Sequence, residues 1–118
     1  MPHIHVEYSD NLEQLEVKPL LIALNQTLLA GGYVSSGLDL KTRAQAQSLY
    51  VIGLDEPDQG YIHVKVSLLT GRSVELQHEI STQLLETLKQ HVAKQSMSLQ
   101  LCVEILEMNK ATYTKTVI

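Results

Sequence analysis

Apolar residues along this chain recur first at every second position, then at every third or fourth, then at every second again, and the whole series runs twice. That repetition constrains the fold more than any other feature, because period two marks a strand with one covered face and a period near 3.6 marks an amphipathic helix. His3–Tyr8 alternates and reads as a strand, with Ser9-Asp10-Asn11 as a cap or turn cluster behind it. Val17, Leu21, Leu24 and Leu28 are spaced four, three and four apart, which is one helical face, and Gly31-Gly32 ends it. From Leu40 to Ile52 the period returns to two, with Leu40, Thr42, Ala44, Ala46, Ser48 and Tyr50 on one face and Lys41, Arg43, Gln45 and Gln47 on the other. Asp55-Glu56-Pro57-Asp58-Gln59-Gly60 has turn composition.

The second half follows the same order. Tyr61–Leu69 alternates as a strand, and Gly71-Arg72-Ser73 places a good N-cap, Ser73, ahead of Glu75 in the first turn of a helix. Ile80, Leu84, Leu88 and Val92 form the stripe of that helix, and a strand over about Leu99 to Leu106 closes the unit. The expected class is α+β: two βαβ repeats forming one four-stranded sheet with two helices on one face. The 118 residues, 44% of them hydrophobic, suit a single domain over 1–118. A bare second sheet face, expected to carry apolar and small residues, calls for a partner.

Several classes are disfavoured. A net charge of -4 and no lysine or arginine cluster argue against nucleic acid or an anionic membrane as partner. The stretch from Pro19 to Ala30 is broken by Asn25, Gln26 and Thr27 and is shorter than the ~20 residues of a membrane span. The opening residues lack a basic segment followed by an apolar one, so a cytoplasmic location is expected. Cys102 is the single cysteine; within an apparent strand it reads as a small buried hydrophobe in a reducing compartment. His3 and His5 share a strand face, but zinc usually takes at least three protein ligands. His63, His78 and His91 show no ligand spacing. No metal is expected from these spacings.

Pro2 heads the first strand, and removal of Met1 would leave its secondary amine there. An α-amino group titrates near ~7.7–8.0, and burial lowers that value towards the range where a general base works at neutral pH. Retention of Met1 would make the Pro2 nitrogen an amide with no basic lone pair.

The opening Pro2-His3-Ile4-His5-Val6-Glu7-Tyr8-Ser9-Asp10-Asn11, the Gly71-Arg72-Ser73 turn with its helix, and Val103-Glu104-Ile105 near the end together resemble the tautomerase superfamily, which includes the fold type of macrophage migration inhibitory factor (MIF-like). The likeness is nearest to its 5-carboxymethyl-2-hydroxymuconate isomerase family. The resemblance implies a homotrimer with sites near subunit boundaries. It also implies a cofactor-independent isomerase of aromatic catabolism, which moves a proton in an unsaturated enol di- or tricarboxylic acid. Pro2 would carry over as the catalytic acid and base, and Arg72 as the cation that holds a substrate carboxylate through two parallel hydrogen bonds. The family's arginine after the first helix falls in Gly37-Leu38-Asp39-Leu40-Lys41-Thr42-Arg43, where this chain carries a small insertion. Lys41 and Arg43 share a strand face about 6–7 Å apart, and either is in reach of a second carboxylate. Lysine would not replace arginine conservatively where two-pronged binding is needed. Two alternatives stay open: a tautomerase of a simpler 2-keto acid, and a catalytically silent trimer that binds a small acid or a protein.

Overall fold

The computed structural model describes residues 1–92 and 96–118. In chain order these form strand β1 (His3–Ser9), helix α1 (Val17–Ala30), strand β2 (Lys41–Gln47), strand β3 (Gln59–Leu69), helix α2 (Val74–His91) and strand β4 (Ser98–Met108). A short 3-10 turn, Gly37–Asp39, leads into β2. The sheet order is β2-β1-β3-β4, with β1 parallel to β2, β3 parallel to β4 and the two pairs joined antiparallel through β1 and β3. This is the expected double βαβ arrangement.

Strand parity decides which side chains meet the helices. Ile4 and Val6 of β1 and Ile62, Val64, Val66 and Leu68 of β3 are buried against Leu20, Leu24 and Leu28 of α1 and Ile80, Leu84 and Leu88 of α2. The α1 stripe is centred one residue from the expected one, on Leu20, Ala23, Leu24 and Leu28, with Val17 and Leu21 half-buried at its margin. Pro19 sits in the first turn of α1, where its missing N–H costs nothing.

The turn after β1 ties the strand ends together. Ser9 is fully buried, and its Oγ accepts from the Tyr61 backbone N at 3.0 Å. Asn11 Nδ2 donates to the Gln59 carbonyl at 2.8 Å. Helix α1 therefore starts later than that cluster, with Glu16 as its N-cap residue. Ser73 caps α2 as expected, its Oγ accepting from the Leu76 backbone N at 3.1 Å.

Four expectations need correction. Strand β2 stops at Gln47 rather than near Ile52, and Leu49, Val51 and Leu54 are exposed in the loop that follows. Alternation of residue type continues there, but β1, the one strand that β2 pairs with, ends at Ser9 opposite Gln47, so no ladder is left to extend. Val92 lies just past the end of α2, although it packs against the core as expected of the stripe. Cys102 is exposed, not buried. Its register partner is His63, while Leu101, Val103 and Ile105 pair with the core-facing Ile62, Val64 and Val66, so Cys102 is left on the open face of an edge strand.

That open face is also not apolar. Its positions include His3, His5 and Glu7 of β1, Lys41, Arg43 and Gln45 of β2, and His63 and Lys65 of β3. Lys65 pairs with Glu7 at 3.5 Å and His63 with Glu104 at 2.8 Å. The apolar and small residues of β2 point to the helices instead, where Thr42 donates to Asn25 of α1. Among the described residues no helix is long and apolar enough to cross a membrane.

Helix α1 ends in a Schellman arrangement: Tyr33 N donates to Leu28 O at 3.1 Å and Gly32 N to Leu29 O at 3.1 Å. Gly32 holds φ at 74°, and a Cβ added there would meet nothing within 4 Å. The cost of replacing it is therefore backbone alone. Gly32→Ala is expected to lower unfolding stability by about 1–2 kcal/mol, read as a lower urea midpoint at unchanged slope; an unchanged midpoint would contradict this account of the cap.

Candidate active site

Antiparallel pairing brings the start of β1 beside the end of β3, with His3 opposite Ser67. The N-terminus thereby meets the turn that carries Arg72. Parallel pairing brings the same end of β1 beside the entry to β2, with His3 opposite Lys41 and the Lys41 backbone N donating to Pro2 O at 3.3 Å. Where the three segments converge lies a cavity of about 200 Å³, lined by Met1, Pro2, Tyr33, Val34, Ser35, Asp39, Leu69 and Arg72. Pro2 itself is buried.

Arg72 is aimed by backbone carbonyls. Its Nη1 donates to Leu69 O and its Nη2 to Tyr33 O, each at 3.4 Å. Gln77 on the first turns of α2 donates to Arg72 O at 3.2 Å. Gly71, with φ at 124°, lets the chain turn between β3 and Arg72. Among the described residues no carboxylate lies within ion-pair distance of Arg72. Two long bonds to neutral carbonyls leave the guanidinium charge uncompensated, and five N–H donors leave spare hydrogen-bonding capacity. A carboxylate ligand in the cavity is the natural complement.

The free amine of this structure belongs to Met1, one residue ahead of the Pro2 amine that removal of Met1 would expose. Burial lowers its pKa below the usual α-amino value; Asp39 raises it in opposition, and Lys41, Lys115 and Arg72 lower it further. The Lys41 ammonium donates to the Asp39 backbone O at 2.6 Å. Burial and the neighbouring Lys115 lower the Lys41 pKa as well. Cations thus outnumber carboxylates around the amine, which suits an anionic ligand and disfavours protonation.

Lys41 and Arg43 part company. Lys41 stands beside the amine, whereas Arg43 lies further along the open face and is held by two imidazoles. Its Nη1 donates to His3 Nδ1 at 3.3 Å and its Nη2 to His5 Nε2. Arginine has only donors, so both rings accept and are neutral at these nitrogens. The remaining N–H of His3 then donates to Tyr113 Oη at 2.9 Å. Burial, followed by the charge of Arg43, lowers the His5 pKa; for His3 the order is burial, Lys41 and then Arg43.

Asp39, Lys115 and Tyr33 were not singled out from the sequence. Asp39 stood inside the segment that carries Lys41, but nothing in the pattern marked it as facing the amine. Tyr33 was findable as the residue after the helix-ending glycines. Lys115 lies in a tail with no periodicity. Among the described residues no group of three or more His, Cys, Asp or Glu side chains is placed to hold a metal ion.

Comparison with known proteins shows the family and the fold. A family model for 5-carboxymethyl-2-hydroxymuconate isomerase matches residues 2–118. The chain is 30% identical over 112 residues to the 5-carboxymethyl-2-hydroxymuconate Delta-isomerase of Escherichia coli, covering 92% of this chain and 88% of that protein. A crystal structure of a 5-carboxymethyl-2-hydroxymuconate isomerase from Deinococcus radiodurans R1 superposes with a TM-score of 0.90 at 31% identity, over 99% of this chain and 90% of that one. A fused 4-OT described as a symmetric trimer shares the fold at a TM-score of 0.63 and 18% identity, over 93% and 86% of the two chains. The resemblance read from the opening residues and the Gly71-Arg72-Ser73 turn is borne out.

The Arg43 contacts carry a direct expectation. Arg43→Ala should raise the His5 pKa towards the ordinary histidine value, because a neighbouring cation that opposes the imidazolium has been removed. Titration of the imidazole resonances by NMR reads it, and an unchanged or lower His5 pKa would contradict the contact.

Proposed function

The chain belongs to the 5-carboxymethyl-2-hydroxymuconate isomerase family, and we propose that it isomerises an unsaturated enol di- or tricarboxylate, 5-carboxymethyl-2-hydroxymuconate or a close analogue, with the Pro2 amine as acid and base. The observation that carries this reading is the single cavity shared by Pro2 and an Arg72 that lacks a carboxylate partner among the described residues. One carboxylate of the substrate docks on the Arg72 guanidinium. That fixes the enol within reach of the amine. The amine takes the enol hydroxyl proton and returns a proton to a carbon of the conjugated chain, so the single and double bonds exchange and nothing is oxidised or reduced. Lys41 takes the second cationic role, since it stands by the amine while Arg43 is committed to His3 and His5.

The catalytically active form is proposed to be a homotrimer. Support comes from the open polar sheet face and from Leu49, Val51, Leu54, Val117 and Ile118, which are exposed in one copy. Light scattering on a sizing column reads the assembly, and a stable monomer at working concentration would contradict it.

Arg72→Ala tests the docking role. A hydrogen bond to a charged group is worth about 1.5–3 kcal/mol, so kcat/KM for ketonisation of 2-hydroxymuconate by protein lacking Met1 is expected to fall roughly 10-fold to 150-fold, with the fold retained. Kinetics equal to the unsubstituted protein would mean that Arg72 only braces the Leu69 and Tyr33 carbonyls.

A further inference from the structure

Asp39 is the one carboxylate among the residues that line the cavity, and it is the only group among them that favours the protonated amine. A carboxylate beside an amine favours the ammonium, and an ammonium has no lone pair with which to take a proton. Two side chains engage Asp39 in different ways. Lys41 bonds only its backbone oxygen. Lys115 reaches the carboxylate, Nζ to Oδ1 at 3.7 Å, with the two side chains 27% and 29% exposed. The two side chains are half-buried, while Lys115 as a whole residue is exposed.

The tail that delivers Lys115 is anchored within the same chain. Ala111 N donates to Asn109 Oδ1 at 3.0 Å, and Thr112 N and Tyr113 N donate to Asn109 O at 3.0 Å, which turns the chain back after β4. Tyr113 then meets His3 edge-to-face, with ring centroids 6.1 Å apart, in addition to the Oη contact. Two residues later Lys115 stands at Asp39. We infer that Lys115 is a positioning residue for the proton-transfer amine: paired with Asp39, it occupies the one cavity carboxylate that would otherwise hold the amine as an ion-paired ammonium. This rests on the proposed role of Pro2. The charged and titratable groups around the amine are then Asp39 and Lys115 as a pair, Lys41 from β2, Arg72 from the β3–α2 turn, His3 from β1 and Tyr33 after α1, whose hydroxyl donates to Glu79. The direction of each influence agrees, with Asp39 raising the amine pKa and Lys41, Lys115 and Arg72 lowering it.

The test is a titration of the Pro2 amine by NMR in protein labelled at proline nitrogen and freed of Met1; of the three prolines only Pro2 then carries an ionisable nitrogen. Lys115→Gln is expected to move the titration to higher pH, and Lys115→Arg to restore it. In an Asp39→Asn background, Lys115→Gln should keep only a smaller upward effect, that of losing a nearby cation, because the carboxylate it exposes is gone. An unchanged Pro2 titration in Lys115→Gln would overturn the inference. So would an upward shift of the same size in the Asp39→Asn background, which would make Lys115 act without Asp39. The reading needs no substrate, so it stands apart from whether the proposed isomerisation is observed.

Discussion

Everything at the candidate site depends on the antiparallel pairing of β1 with β3. A βαβ unit joins parallel strands and leaves its two ends on opposite sides of the sheet. Two such units set side by side with their first strands antiparallel bring the N-terminus of one against the exit of the first strand of the other. Here that juxtaposes Pro2 with the Gly71-Arg72-Ser73 turn, through the Ile4–Val66 and Val6–Val64 pairs of the core. Seventy positions of sequence separate Pro2 and Arg72, and the β1–β3 backbone hydrogen bonds bring them to one cavity. The pairing is fixed because a slip of one residue would turn every buried Ile and Val of β1 to the open face.

Around that frame the chain uses main-chain groups to aim charge. Arg72 is steered by the carbonyls of Leu69 and Tyr33, and Tyr33 is delivered by the glycine-terminated end of α1. Neutral carbonyls orient a guanidinium without consuming its charge, which a carboxylate partner would do. The opposite choice is made for Arg43, whose donors meet two neutral imidazoles on the open face. Of two cations expected to compete for one role, only one stands by the amine. Burial and an excess of positive charge then act on that amine in the same direction.

The sheet and both helices were legible in the sequence because strand and helix periods differ and because Ser73, Gly32 and the turn cluster sit where local backbone chemistry needs them. Pro2 and Arg72 were legible as chemistry, and the family likeness joined them. What was not legible depends on strand register. Cys102 reads as a core residue until its pairing with His63 puts it on the open face. The same register gives that face its charged and imidazole residues, where bareness alone suggested apolar ones. Asp39 and Lys115 escaped notice because neither lies in a periodic element, and the tail reaches the site through tertiary contacts with His3 and Asp39.

The most direct test of the account compares two forms of the chain that differ by one residue at the N-terminus. Ketonisation of 2-hydroxymuconate is followed by ultraviolet absorbance for protein beginning at Pro2 and for protein retaining Met1, both verified by intact mass and by matching thermal unfolding. The account predicts turnover in the first form and its loss in the second, where the Pro2 nitrogen is an amide. Equal turnover in the two forms would show that another group moves the proton, and would contradict it.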